Sequence, residues 1–195
     1  MMKVILISGK QGSGKTTLAK SLYTALAQRG VVYTLKFADV LYQMHAAIKT
    51  TLVANGYKWP VVDGKEAIDG KLLQLLGTDW GRHHLGENIW VEIMRRRLAE
   101  IEYLEKASIY DVHVIIDDCR FYNEFNVYEG AVKIRLEADQ GSRRARAEKW
   151  RDSTNHQSET HLDSKLNEFD LVINTVSNNE TKTLELVLSL LGVQP

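Results

Sequence analysis

The sequence predicts an α/β fold, a parallel sheet with helices on both faces. Three observations carry that expectation. Residues 4–8 are a continuous apolar run, as in a strand covered on both faces, residues 112–117 are buried by composition, and residues 131–136 form a further short strand. Between them lie longer stretches whose apolar residues recur at helical spacing. The first apolar run passes directly into a glycine-rich turn and then a helix, the order of a strand–loop–helix unit.

Each element follows in turn. Residues 4–8 are the first strand, and a helix covers residues 15–29 with Leu18, Leu22, Ala25 and Leu26 at core spacing. Gly30 stands where a C-cap glycine belongs. Residues 31–37 read as the second strand, and Asp39 is placed to cap a helix over 40–54. Residues 55–69, with Gly56, Pro60 and Gly64, read as an irregular connection. Helical segments follow at 71–76, extending towards His84, and at 88–106, where Trp90, Met94, Leu98 and Ile101 share a face. The third strand is 112–117, a short helix 121–128, the fourth strand 131–136, the fifth 171–174 and a closing helix 181–191. The polar, basic stretch 140–166 fits neither core pattern. The expectation is one domain over residues 1–195, with a helical insert at about 38–106 and a small helical lid at about 140–166.

Composition narrows the partners. Lys plus Arg and Asp plus Glu are equal at 25 each, so the chain lacks the basic excess of a general nucleic-acid or membrane-surface binder. No apolar run approaches a membrane span, and residues 1–7 are too short an apolar stretch for a signal peptide. Cys119 is the single cysteine, so no internal disulfide forms. The expectation is a cytoplasmic protein with small-molecule partners and neither nucleic acid nor membrane; a homodimer is compatible with it. His83-His84 and His156 with His161 lack the spacing of a zinc site.

The sharpest motif is Gly9-x4-Gly14-Lys15-Thr16, read in full as GKQGSGKT, a P-loop between strand and helix. Gly9, Gly12 and Gly14 allow a tight backbone turn that aims N–H groups inward, and the helix adds the positive end of its dipole. Ser13 and Thr17 complete the cradle. Lys15 reaches the β- and γ-phosphates, and the Thr16 hydroxyl is offered to Mg²⁺.

Three further features surround it. Asp117 and Asp118 end the third strand, where an aspartate that orients magnesium directly or through water belongs; Asp118 is the residue favoured here, and the pair also fits a cap for the next helix. Arg120 places a cation beside those carboxylates. The stretch 141–151 holds Arg143, Arg144, Arg146, Lys149 and Arg151, and Arg143 and Arg146 share a helical face suited to charge on a transferring phosphoryl group. A solvated surface helix fits the same pattern. Lys71, Gln74, Thr78 and Arg82 form a polar stripe suited to a nucleotide monophosphate, or simply the wet face of an amphipathic helix.

Together these motifs resemble the bacteriophage deoxynucleoside monophosphate kinases. The resemblance rests on the P-loop, on Lys36-Phe37-Ala38-Asp39-x-Leu41, and on Leu72-Leu73-Gln74-Leu75-Leu76-Gly77-Thr78-Asp79 with Gly81-Arg82 and Ile89-Trp90. It continues through Asp118-x-Arg120-Phe121-x-Asn123-Glu124, His156-x-Ser158-Glu159 and residues 170–174. It differs in the middle of the loop, where Gln11 and Gly12 replace a frequent basic residue, and at Thr16, where some members carry Asp. The resemblance implies a P-loop kinase fold of strand order 2-3-1-4-5, Mg²⁺-ATP as donor and a deoxynucleoside monophosphate as acceptor. Lys36, Lys71, Gly77, Thr78, Trp90, Arg120 and Glu124 are the matched positions that would contact the acceptor.

The expected reaction is ATP + dNMP → ADP + dNDP. A phosphomonoester has its second pKa near ~6, so it arrives mostly dianionic and needs no general base. Lys15, Mg²⁺ held through Thr16 and Asp118, and Arg143 and Arg146 would carry transfer, while Arg120, Lys71 and Arg82 hold the acceptor phosphate. A rival is another small-molecule kinase. Phosphomevalonate kinases of the P-loop type carry a stretch similar to Ser158-Glu159-x-x-Leu162-Asp163, and a hydroxyl acceptor would recruit Asp117 or Asp118 as base. A GTPase or nucleic-acid-dependent ATPase is disfavoured, since the chain has no Asn-Lys-x-Asp motif and no Asp-Glu ending the third strand.

Overall fold

The structure, a computed structural model, describes residues 2–62, 64–146, 150, 157–175 and 180–194, with only the backbone at 157 and 158. Two compact units emerge. One comprises Met1–Lys36 with Arg95–Pro195, the other Phe37–Met94. The helices are α1 (Lys15–Ala27), α2 (Asp39–Ala54), α3 (Gly70–Gln74), α4 (Ile89–Glu105), α5 (Tyr122–Phe125), α6 (Gln140–Arg146), α7 (Gln157–Thr160) and α8 (Glu180–Leu190).

The first unit is built on five strands, β1 (Lys3–Gly9), β2 (Gly30–Leu35), β3 (Asp111–Cys119), β4 (Val132–Glu137) and β5 (Leu171–Asn174). All pair in parallel in the order β2-β3-β1-β4-β5, the arrangement expected. Ile5 and Ile7 pack with Ile115, Ile134 and Leu136 against Leu18, Leu22 and Leu26 of α1 and Val187 and Leu188 of α8. Val4, Leu6, Val114 and Ile116 are also buried. Residues of both parities are therefore inside in β1 and β3, which is why β1 reads as a continuous apolar run and β3 as a largely apolar one. Gly30 is not a helix cap but the first residue of β2. A Cβ there would lie 2.2 Å from the Asp111 carbonyl oxygen, so glycine is needed for strand approach.

One irregularity bears on function. Leu6 pairs with Ile116, but Ser8 pairs with Cys119, so β3 spends one residue more than β1 over the same step. The extra residue is a bulge at Asp117-Asp118, a device that re-aims side chains at a strand end.

In the second unit, the expected irregular connection contains a small antiparallel hairpin, Val61–Val62 with Lys65–Glu66. Buried His45 accepts the Asp69 N–H through Nε2 at 3.0 Å, and the Asp69 carboxylate caps α3 by accepting the N–H groups of Lys71 and Leu72. The segment after α3 continues as a π-helix, Leu75–Leu85. Its wider turn departs from the α-helical spacing on which the stripe rests. Lys71 and Gln74 lie on α3, whereas Thr78 and Arg82 lie on the π-helix, so the four positions do not follow a single α-helical repeat.

Candidate active site

The phosphate loop joins β1 to α1 within the first unit. Gly12 (φ 76°) and Gly14 (φ 95°) occupy the left-handed region, and Gly14 leads into the first turn of α1, where Leu18 N–H donates to its carbonyl at 3.0 Å. Gly12 is also required for close approach, because a Cβ there would stand 2.3 Å from the Arg143 carbonyl oxygen. Lys15 Nζ donates to the carbonyls of Gly9 (2.6 Å) and Lys10 (2.9 Å), closing the loop on itself. Burial pushes the Lys15 pKa down to about 8, and the positive charge of Arg120 adds to that while Glu159 and Asp117 oppose it. Ser13 is buried, and its Oγ has no hydrogen-bond partner among the described residues. Beside the loop opens a cavity of ≈ 520 Å³ lined by Gly14, Lys15, Thr16, Thr17, Arg146, Thr175 and Thr183, among others.

The carboxylate that accepts the Thr16 hydroxyl is that of Asp117, whereas the sequence favours Asp118. Thr16 Oγ1 donates to Asp117 Oδ2 at 3.1 Å, and Lys36 Nζ pairs with Asp117 Oδ1 at 2.7 Å and Oδ2 at 3.0 Å. Asp117 is buried and Asp118 half-buried. The bulge in β3 explains the correction, since the sequence gives no sign of which aspartate it turns towards Thr16. A hydroxyl and a carboxylate converging beside a phosphate cradle are hard oxygen donors, which fits Mg²⁺, an ion bound by one or two protein oxygens with phosphate and water. No cluster of three or more His, Cys, Asp or Glu able to hold a metal occurs among the described residues.

Arg120 follows β3, and its Nη1 donates to Glu159 Oε1 at 2.5 Å. Glu159 Oε2 accepts the Gln11 N–H of the loop at 2.8 Å. Glu124, expected among the acceptor contacts, is instead 3% exposed, and its Oε2 accepts the backbone N–H groups of Arg120 and Phe121 at the start of α5. A buried carboxylate is held by such donors, so Glu124 shapes the Arg120 turn.

The two candidate arginines of α6 diverge. Arg143 is buried; its Nε donates to Ala138 O and its Nη1 to Gln11 O, both at 3.2 Å, and it lies over the Trp150 ring. A guanidinium so engaged braces the loop. Arg146 donates to Thr175 Oγ1 (3.1 Å) and O (2.9 Å), and Thr175 Oγ1 donates in turn to Ser13 O (3.2 Å), so Arg146 borders the cavity. Lys149, Arg151 and His156 lie outside the described residues.

In the second unit, Lys71 and Gln74 are exposed and Thr78 and Arg82 half-buried, with Arg82 Nη1 donating to Glu87 O at 3.2 Å. Trp90 does not present a face for a base. It is 5% exposed, donates its indole N–H to Gly77 O at 2.8 Å, and packs where a Cβ on Gly81 would lie 2.2 Å from its ring. A buried indole needs an acceptor, and the Gly77 carbonyl provides it.

Sequence reasoning missed Glu159, Asp163, Arg135 and Thr175 as site residues. Glu159 and Asp163 stood in a motif noted only for its resemblance. Arg135 carried its own signal, a charge inside an apolar strand. Thr175 had none.

No protein-family model and no curated protein matches the chain. Its fold is similar to that of TT1252 from Thermus thermophilus, at 20% identity over 99% of this chain and 98% of that one, with a TM-score of 0.57. It is also similar to shikimate kinase from Bacteroides thetaiotaomicron, at 14% identity over 98% and 99% of the two chains, with a TM-score of 0.50. The chain has a P-loop kinase fold, an α/β sheet with its phosphate loop after the central strand. No described helix is long and apolar enough to cross a membrane.

Proposed function

We propose that the protein is an ATP-dependent kinase that converts a deoxynucleoside monophosphate to its diphosphate. The observation that carries a phosphoryl-transfer reading is the convergence of Lys15, Thr16 and Asp117 at the phosphate loop, with Arg120 tied to the same loop through Glu159. The choice of acceptor is favoured by the chemistry of Asp117, one of the two aspartates that a hydroxyl acceptor would recruit as base. Its two oxygens are engaged by Thr16 and Lys36. An acceptor that arrives ionised needs no proton acceptor, whereas a hydroxyl does. The narrower class, a deoxynucleotide, rests on the resemblance of residues 72–79 and 118–124 to the phage kinases.

In this reading an oxygen of the acceptor phosphate attacks the γ-phosphorus, the bond from that phosphorus to the β,γ-bridging oxygen breaks, and ADP leaves. Magnesium, held through Thr16 and Asp117 and partly through water, would neutralise charge on the β- and γ-phosphates. The loop N–H groups and Lys15 hold the donor phosphates, and the cavity beside Arg146 and Thr175 takes the rest of the donor nucleotide. Lys36 and Arg120 bind the acceptor phosphate.

The test is ADP formation with dAMP, dGMP, dCMP, dTMP, their ribose forms and phosphomevalonate. At least one deoxynucleoside monophosphate is expected to raise the rate well above buffer. Acceleration by none of the monophosphates overturns the kinase reading, and acceleration by phosphomevalonate alone overturns the choice of acceptor. Arg120→Ala should lower kcat/KM for the acceptor about 10- to 100-fold, more than it weakens ATP binding. Equal losses of both would remove Arg120 from the acceptor site.

A further inference from the structure

Two carboxylates four residues apart bind neighbouring residues of the phosphate loop. Glu159 Oε2 accepts the Gln11 N–H at 2.8 Å while its Oε1 accepts Arg120 Nη1 at 2.5 Å. Asp163 Oδ2 pairs with Lys10 Nζ at 2.7 Å while its Oδ1 accepts Arg135 Nη2 at 2.6 Å. Arg120 follows β3 and Arg135 lies on β4, the two strands that flank β1. Arg135 Nη1 reaches Ser8 Oγ on β1 itself at 3.2 Å. Leu162, between the two acids, is 1% exposed and anchors the segment. Consecutive loop residues are thus each held by one acid, and each acid is held by an arginine, Arg120 just after β3 and Arg135 within β4.

The two grips differ in kind. Asp163 meets a lysine side chain and is 36% exposed. Glu159 meets the loop backbone and is 9% exposed, so its charge is poorly screened by water. We infer that Glu159 is a positioning residue that couples Arg120 to the phosphate loop, so that Arg120 sets the affinity of the loop for a triphosphate. The inference rests on the loop being the donor site proposed above.

The physical argument is one of charge balance. With Arg120 in place, the Glu159 carboxylate is compensated and serves as an acceptor that fixes the Gln11 N–H. Without Arg120, the same carboxylate remains on the loop backbone with its paired cation removed, so its negative charge opposes an incoming triphosphate and draws more on Lys15. The opposite effects of Arg120 and Glu159 on Lys15 are consistent with both groups acting at the loop lysine. An anion drawing on Arg120 would therefore be sensed at the donor loop without a contact between the two ligands.

A double-mutant cycle on Mg²⁺-ATP binding, measured by calorimetry without any acceptor, tests this. Arg120→Ala should weaken ATP binding about five-fold in the native background and less than about two-fold in the Glu159→Gln background. Arg120→Gln, which retains more of the side-chain stem, carries the same expectation should the alanine variant fail to fold. Arg120→Lys keeps the charge and should stay within about two-fold of native affinity. The inference is overturned if Arg120→Ala has no effect on ATP, has the same effect in both backgrounds, or is matched by Arg120→Lys. Failure of the monophosphate reading shows separately, as absent turnover with ATP binding intact. Failure of the donor-site reading shows as no ATP binding by the native protein.

Discussion

In the proposed site, Lys15 is the residue on which the donor half depends, and its environment gives it a pH signature. Its ammonium is half-buried among loop carbonyls, and burial brings its pKa down to about 8 in the nucleotide-free protein. Below that value the charge that attracts phosphate is present, and above it the charge is lost. ATP affinity should therefore fall as pH rises through about 8, followed by calorimetry between neutral pH and mild alkali. Lys15→Arg, whose charge persists across that range, should flatten the fall even if its absolute affinity is lower. A flat native profile would contradict the assignment. The aspartate pair offers a second residue-scale contrast. Asp117→Asn should lower turnover about 10- to 100-fold, as losses around a metal-binding hydroxyl do, while Asp118→Asn should stay within about three-fold of native. Steady-state rates at saturating magnesium distinguish the two, and the reverse ranking would restore Asp118.

Among elements, the π-helix Leu75–Leu85 is the clearest departure from simple periodicity. Its sequence, LLGTDWGRHHL, has an amphipathic pattern that reads as α-helical, yet the chain widens there. Gly77 and Gly81 permit this, one by giving its carbonyl to Trp90 and the other by leaving room for the indole. Trp90 is accordingly a packing residue. Trp90→Phe should cost about 1–2 kcal/mol in urea unfolding, the loss of one buried hydrogen bond, and leave the acceptor KM unchanged. A large rise in KM at native-like stability would return Trp90 to the binding site. The β3 bulge is the second such element, because it turns a generic pair of aspartates into one that bonds Thr16 and one that does not carry that bond.

For the whole molecule, the proposed donor site draws its residues from five separated stretches of sequence. The loop follows β1, Asp117 and Arg120 end β3, Arg143 and Arg146 lie on α6, Glu159 on α7, and Thr175 follows β5. A ligand that bridges them stabilises the folded state by mass action. Mg²⁺-ATP at one hundred times its dissociation constant should contribute about 2.7 kcal/mol, raising Tm by about 5–10 °C for a chain of this size. Lys15→Ala should abolish both that shift and turnover. A full shift in the Lys15→Ala protein would place the nucleotide elsewhere.

The sequence by itself determined the sheet and the cradle. Buried parallel strands are apolar on both faces, and a P-loop needs its glycines, lysine and hydroxyl at fixed offsets, so both are written in local order. Helix ends and the role of Gly30 were less legible, because what decides them is how closely a neighbouring strand approaches. The partners of the polar side chains were decided by tertiary structure alone. Asp117 rather than Asp118, the Glu124 cap, the buried Trp90 and the double engagement of Glu159 all depend on groups far away in the chain. A local pattern shows which residue types are available, but hydrogen bonds form between atoms that the fold brings within about 3 Å, and a buried polar group takes whichever partner is there.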